Sequence, residues 1–168
     1  DLPKFYLDLQ AYKNAGNQNS NPFTPSVNLY FALEEALKMM REEGLENIFH
    51  RHNKHKQATQ EAMQAIGLEL FAANGCGSPS ITAIEPKDID ADILRKYVKE
   101  DFDILLAGGQ DHLKGKVFRI GHLGFVNDRD IISVIAAIEA TLHKLGKSHK
   151  SIGTGISAAT KVLAKAHS

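Results

Sequence analysis

An arginine stands in the middle of a short apolar segment, "GKVFRIGHLG", which spans residues 115–124. A buried guanidinium without an anionic partner is costly, so Arg119 must either meet an anion or point outward to water. Its planar set of N–H donors can form two parallel hydrogen bonds with a carboxylate, which fixes orientation as well as charge. Two interpretations stay open: a clamp for a carboxylate ligand, or an internal salt bridge with one of the 20 acidic residues of the chain.

The residues around Arg119 predict a β-strand. Phe118 and Ile120 would point to one face of the sheet, and Val117 and Arg119 to the other. If helices cover the face that carries Phe118, Arg119 lies on the free face.

A pair of glycines, Gly108 and Gly109, precedes this strand. The pair is typical of a turn at the end of a strand. The alternative is that the missing Cβ atoms let a ligand or a partner backbone approach closely.

Thr24 and Pro25 precede a stretch with helical periodicity. This order suits a helix N-cap followed by proline in the first turn. A helix N-terminus also favours an anion, and the Thr24 hydroxyl could donate to a phosphate oxygen. The sequence allows either role.

Other residues with chemical potential do not assemble into a site. His50, His52 and His55 do not converge on one helical face, so we expect a solvated face and no metal site. Cys76 has no evident base beside it, which favours an unreactive thiol. The segment "LAGGQDHLKGK" lacks the Walker spacing, which excludes a P-loop.

The periodicity of the chain predicts an α+β fold, with a short mixed or antiparallel sheet and helices packed on one face. Strands are predicted in "KFYLDL", "LELFAA", "SITAIE", "FDILLAGG" and "KVFRIGHLG". Helices are predicted from Thr24 to about Leu45, from Glu46 to Ile66, in "DADILRKYVKE" and from Asp128 to Leu145, the last capped by Asn127.

The same pattern divides the chain into three zones. Residues 1–23 read as a linker or remnant of another domain, residues 24–146 as a small α+β domain, and residues 147–168 as a loosely ordered tail with a short helix in "AATKVLAKA".

Composition narrows the classes of function. The formal net charge of zero argues against nucleic-acid binding. No apolar run is long enough to predict a membrane span, and a single cysteine suits the reducing cytoplasm.

Three segments together resemble a known family. "NPFTPSVNLYFALEEALKMMREEGLENIFHRH", "FDILLAGGQDHLKGKVFRIGHLGFVNDRDI" and the closing helix are similar to the C-terminal part of the class V pyridoxal-phosphate aminotransferases, of the alanine–glyoxylate and serine–glyoxylate type. The resemblance implies the small C-terminal domain of a fold-type I transferase that depends on pyridoxal 5'-phosphate.

The resemblance also assigns roles to residues. Arg119 matches the arginine that binds the substrate carboxylate, and Gly108 and Gly109 match paired glycines near the substrate. Thr24 matches a threonine that contacts the phosphate of the partner subunit's cofactor in a homodimer. Family members often carry Tyr and His just before that threonine, whereas residues 21–23 are "NPF" in this chain.

The Schiff-base lysine of the family lies in an "SGSQK"-like motif, and this chain contains no such motif. The resemblance therefore implies a missing N-terminal large domain, and the 168-residue piece is expected to be inactive alone. The whole protein would move an amino group from alanine or serine to a 2-oxo acid such as glyoxylate. The alternative is a non-catalytic α+β binding or subunit-association module of a soluble-hydrogenase-like complex, although one cysteine cannot ligate the metals of a hydrogenase.

Overall fold

The computed structural model describes residues 3–148 and 150–165. Residues 1, 2, 149 and 166–168, which include the ends of the predicted linker and tail, lie outside the described residues. The chain forms two compact units, Asp1–Leu45 and Glu46–Ser168. This division differs from the expected boundaries after residues 23 and 146. No helix among the described residues is long and apolar enough to cross a membrane.

The first unit begins with helical structure where a strand was predicted. Phe5–Leu7 forms a 3-10 helix, and helix α1 follows over Leu9–Gly16. The strand prediction for "KFYLDL" is wrong because Asp8 ends this run and caps α1. Its carboxylate accepts hydrogen bonds from the backbone N–H groups of Gln10 at 2.9 Å and Ala11 at 3.4 Å.

Helix α2 spans Val27–Glu43, and its N-cap residue is Ser26. The interpretation of Thr24 as the N-cap is therefore wrong, because the helix begins two residues later than that role requires. The apolar stripe predicted for α2 is present but exposed to solvent, at 43% or more of each side chain. This α2 stripe consists of Val27, Tyr30, Leu33, Leu37 and Met40.

The second unit contains a four-stranded antiparallel sheet in the order β1-β2-β4-β3. Its strands are β1 over Glu69–Leu70, β2 over Ile81–Glu85, β3 over Ala107–Gly108 and β4 over Phe118–Gly121. The α+β prediction is confirmed, and the sheet is antiparallel throughout. The predicted strand in "FDILLAGG" shrinks to two residues, because Asp103 adopts a left-handed conformation that ends the preceding helix.

Three of the helices that pack around the core of this unit precede its C-terminal segment. They are α3 over Leu45–Ala65, α4 over Ala91–Phe102 and α5 over Asp128–Lys144. Asn127 caps α5 in a capping box with Asp130, as the sequence predicts. The buried side of α5 consists of Ile131, Val134, Ile135, Ile138 and Leu142, also as predicted. These side chains join Phe118 and Ile120 of β4 in one apolar cluster.

The C-terminal segment is more ordered than the sequence indicates. Helix α6 spans Thr154–Leu163 and buries Ala159 and Val162 in the apolar core. The helix predicted in "AATKVLAKA" is present, but it starts at Thr154, before the predicted segment. The buried carboxylate of Glu139 on α5 accepts hydrogen bonds from the backbone N–H groups of Gly155 at 2.8 Å and Ile156 at 3.4 Å. An anion at a helix N-terminus is favourable, which explains why a tail rich in small residues docks here.

Replacing Glu139 with alanine is expected to loosen α6. The two N–H groups would lose their acceptor, and an unsatisfied buried donor costs about 1–3 kcal/mol. Hydrogen exchange at the amides of α6 measures the effect. Glu100→Ala is the matched control, because Glu100 is an exposed helical carboxylate in a 3.9 Å pair with Lys96. Equal protection of α6 in the two variants would show that Glu139 does not anchor it.

Candidate functional site

Arg119 lies on the outer face of the sheet, as the strand pattern predicts, but the prediction that Val117 shares this face is wrong, because Val117 precedes β4 and is 2% exposed. The neighbouring Phe118 and Ile120 are 0% and 2% exposed and face the core, whereas Arg119 is half-buried. Strand β4 runs between β2 and β3, and the residues paired with Arg119 are Ala83 and Ala107. The side chains directly opposite Arg119 on both neighbouring strands are therefore small.

Among the described residues, the Arg119 guanidinium makes one hydrogen bond. Its Nε donates to the carbonyl oxygen of Gly108 at 3.0 Å. Within the described parts of the chain Arg119 forms no salt bridge, so the internal ion pair considered from the sequence is not seen there. This arrangement leaves the two terminal nitrogens of the guanidinium available to a carboxylate.

Other parts of the chain fill the space beside the two glycines near Arg119. A Cβ on Gly108 would lie 2.6 Å from Nη1 of Arg95 on α4. A Cβ on Gly109 would overlap the carbonyl oxygen of Leu113. The close approach that the sequence suggested is thus made by a neighbouring side chain at Gly108 and by backbone at Gly109.

Arg95 and Asp92 belong to this neighbourhood and were not singled out from the sequence. Arg95 donates from Nε to the carbonyl oxygen of Leu106 at 2.8 Å and from Nη1 to the Asp92 carboxylate at 2.6 Å. Their spacing of three residues in a predicted helix was the available signal. Their approach to β3 depends on how α4 packs, which local pattern does not reveal.

Thr24 lies in the first unit, in an exposed turn before α2. Its side chain forms no hydrogen bond with the residues that the structure describes. The preceding ring, Phe23, packs against Tyr6 and Phe5 with centroid distances of 4.6 and 5.0 Å. The residue that departs from the family pattern therefore joins an aromatic cluster.

The histidine-rich stretch of α3 is not uniformly solvated. His50 is exposed, but His55 is fully buried and its Nε2 lies 2.8 Å from a carboxylate oxygen of Asp128. The expectation of a solvated face is thus wrong for His55. Burial lowers the pKa of His55, and the hydrogen bond to Asp128 opposes that shift. Across residues 3–148 and 150–165, no group of three or more His, Cys, Asp or Glu could hold a metal ion.

His122 is a second buried histidine, at the end of β4. Its Nδ1 lies 3.0 Å from the carbonyl oxygen of Pro79, and its Nε2 lies 2.9 Å from the hydroxyl of Thr82. Since the carbonyl can only accept, Nδ1 carries the proton and Nε2 accepts from Thr82. Burial lowers the pKa of His122 from 6.5 to about 4, although the bond to Pro79 opposes the shift. The imidazole is therefore a neutral link between β2 and β4.

The protein is expected to lose stability in acid through His122. The unfolded state binds a proton at its ordinary pKa of 6.5, while the folded state resists protonation down to about 4. Stability is therefore complete above pH 6.5 and declines as the pH falls toward 4, by about 3 kcal/mol in all. Urea unfolding at several pH values, compared with His122→Gln, measures this contribution. Identical pH slopes in the two proteins would exclude it.

The proteins with sequences similar to this chain are named either as soluble hydrogenase subunits or as aminotransferases. The chain is 54% identical over 165 residues to the soluble hydrogenase small subunit of Synechococcus sp. (strain PCC 6716), across 98% of this chain and 43% of that protein. It is 35% identical over 164 residues to the serine–glyoxylate aminotransferase of Methylorubrum extorquens, across 96% of this chain and 40% of that protein. The chain thus spans about two fifths of the length of these relatives. No family model matches it.

The fold agrees with the sequence relationship. The crystal structure of the ureidoglycine–glyoxylate aminotransferase of Bacillus subtilis superposes with a TM-score of 0.89 at 31% sequence identity. The superposition covers 95% of this chain and 42% of that one. The resemblance stated from the residues is confirmed.

Proposed function

We propose that the chain belongs to the aminotransferase family of these relatives and that it is the C-terminal part of a class V enzyme that depends on pyridoxal phosphate. The whole protein transfers an amino group from an amino acid, alanine or serine, to a 2-oxo acid such as glyoxylate. The names of the relatives and the two-fifths share of their length support this proposal. In this proposal, the present chain orients the substrate. A large domain that is not part of this chain provides the Schiff-base lysine.

The observation that carries the proposal is the position of Arg119. Its guanidinium lies on the outer face of the sheet, tethered by Nε alone, without an ion pair in the described residues. Amino-acid donors and 2-oxo acid acceptors share one feature, a carboxylate next to the reacting carbon. One guanidinium that binds this carboxylate in both half-reactions holds each substrate in the same orientation. Gly108 and Gly109 border this position.

The cofactor would supply the electron sink for amino transfer, and the protein would supply binding and orientation. In this chain, Thr24 fits a contact to the cofactor phosphate. Thr24 is exposed, and it precedes the N-terminus of α2, whose first turn contains no acidic residue to repel an anion. We assign Thr24 to the phosphate bound in the partner subunit of a homodimer.

The exposed α2 stripe supports a larger assembly. Apolar side chains aligned along one face of a helix are usually covered in a finished fold, and a contiguous exposed set marks an interaction surface. We assign the α2 stripe to contact with the large domain of the whole protein.

Amino transfer by the whole protein is the first test. The protein, loaded with pyridoxal phosphate, is expected to form glycine from glyoxylate when alanine or serine is the donor. The 168-residue chain alone is expected to form none. Absence of glycine with every amino donor tested would reject the proposed activity. The sequence encoded upstream of Asp1 gives an independent check, because the proposal requires a cofactor domain with a lysine motif there.

A second candidate function has one observation in its favour. The relative that is 54% identical is named as a soluble hydrogenase subunit. A non-catalytic subunit-association module would use the exposed α2 stripe against another protein of such a complex. It predicts no transfer to glyoxylate and no lysine motif upstream, so the same two experiments separate the candidates.

A further inference from the structure

We propose that Arg95 and Asp92 are positioning residues, which hold Arg119 in place through Gly108 and leave Arg119 as the cation that meets the substrate. The inference rests on the proposed function of Arg119. It assigns a role to two residues of α4 that do not themselves touch the substrate.

The first step is the dependence of Arg119 on Gly108. The Nε–H of Arg119 points to the Gly108 carbonyl oxygen at 3.0 Å, and this bond sets the direction of the guanidinium. Gly108 belongs to β3, which has two residues and lies at the edge of the sheet. So short an edge strand has few ladder bonds of its own, and the position of its carbonyl requires further support.

The second step is the support that Arg95 gives to β3. Its Nε binds the carbonyl oxygen of Leu106, the residue before the strand, at 2.8 Å. Its Nη1 lies against Gly108, where a Cβ would come within 2.6 Å of it. The guanidinium of Arg95 thus contacts the chain on both sides of Ala107. Glycine at 108 is what admits this contact.

The third step concerns charge. Arg95 and Arg119 both contact Gly108, but from different sides: Arg119 binds its carbonyl oxygen from the outer face, whereas Arg95 lies where a Cβ would be, on the face that Gly108 shares with the buried Phe118. Asp92 accepts a hydrogen bond from Arg95 at 2.6 Å and offsets its charge. Arg119 has no carboxylate partner in the described residues. Asp92 therefore offsets the charge of Arg95 where it supports β3, and Arg119 is the guanidinium of the two whose charge is left for the substrate.

Kinetics of Arg95→Met in the whole protein test the inference. Without the contacts of Arg95 to Leu106 and Gly108, β3 is expected to shift. The Arg119 guanidinium would then lose its fixed direction. The KM for alanine or serine should rise about tenfold, the worth of one charge-assisted hydrogen bond, with little change in kcat. Lys96→Met is the matched control, because Lys96 is the next residue of α4 and is exposed, in a 3.9 Å surface pair with Glu100. Its KM should equal that of the wild type.

A double-mutant cycle separates positioning from general damage. In an Arg119→Ala background, Arg95→Met should raise KM no further, because the residue it positions is gone. Arg95→Lys should fail to restore KM, since one ammonium cannot bind Leu106 and fill the space beside Gly108 together. Gly108→Ala should reproduce the KM increase by displacing the Arg95 side chain. If Arg95→Met does not fold, Gly108→Ala takes its place as the test variant.

The outcomes distinguish two kinds of failure. If Arg119→Ala itself leaves KM and kcat unchanged, the proposed function of Arg119 is rejected. If Arg119→Ala impairs the enzyme but Arg95→Met has the wild-type KM, or the same effect in both backgrounds, the positioning role is overturned.

Discussion

Replacing Arg119 with alanine in the whole protein is expected to lower kcat/KM for transfer from alanine or serine to glyoxylate by about 30-fold to several thousand-fold. Truncating one partner of a hydrogen-bonded charge pair costs about 2–5 kcal/mol, and each 1.36 kcal/mol is a factor of ten. The lower end applies if water reaches the half-buried guanidinium, because exposure weakens the pair. Steady-state kinetics with both donors measure the loss.

Two further variants show whether the fall in kcat/KM comes from the lost interaction between Arg119 and the substrate carboxylate. Arg119→Lys keeps the charge but not the planar fork, so its kcat/KM should fall between those of the wild type and the alanine variant. Arg129→Ala removes an exposed arginine from the first turn of α5 and should leave the kinetics unchanged. The clamp is contradicted if the Arg119 and Arg129 variants behave alike.

Replacing Gly109 with alanine is expected to destabilise the protein more than any other glycine change near the site. The new Cβ would overlap the carbonyl group of Leu113, which is backbone and cannot rotate away, and it would approach Cγ2 of Val117 to 3.0 Å. Overpacking of this kind costs about 1–3 kcal/mol, and a backbone obstacle places the expected value at the top of that range or above it. The midpoint of urea unfolding measures the change.

Gly121→Ala is the matched control for Gly109→Ala. Gly121 lies in β4, and a Cβ there would meet only Cδ2 of Leu123 at 3.4 Å, an ordinary contact. Its unfolding midpoint should stay close to that of the wild type. Equal midpoints for the two variants would mean that the turn from Gly109 to Leu113 can relax, and that the paired glycines are not required by the fold.

The elements that sequence predicted well are those set by local chemistry. Helix α5 has a capping box at Asn127 and an apolar residue every three or four positions, and both signals are independent of the rest of the fold. The outward position of Arg119 also follows from local pattern, because alternation in a strand with one buried face leaves it no other side. These features needed no knowledge of the neighbours.

The elements that sequence predicted poorly depend on competition or on distant contacts. "KFYLDL" alternates like a strand, but Asp8 can cap a helix, and the cap prevails. His55 lies in a charged run, yet its burial depends on Asp128, 73 residues away. The support of Arg119 by Gly108 and Arg95 likewise requires β3, β4 and α4 to meet, which spacing along the chain does not encode.

A crystal structure of the whole protein with a bound 2-oxo acid would test the role of Arg119 most directly. We predict that both carboxylate oxygens lie within hydrogen-bond distance of the two terminal nitrogens of Arg119, while Nε still donates to Gly108. A carboxylate held by a different cation, with Arg119 paired to an acidic residue of its own subunit, would contradict the proposed clamp.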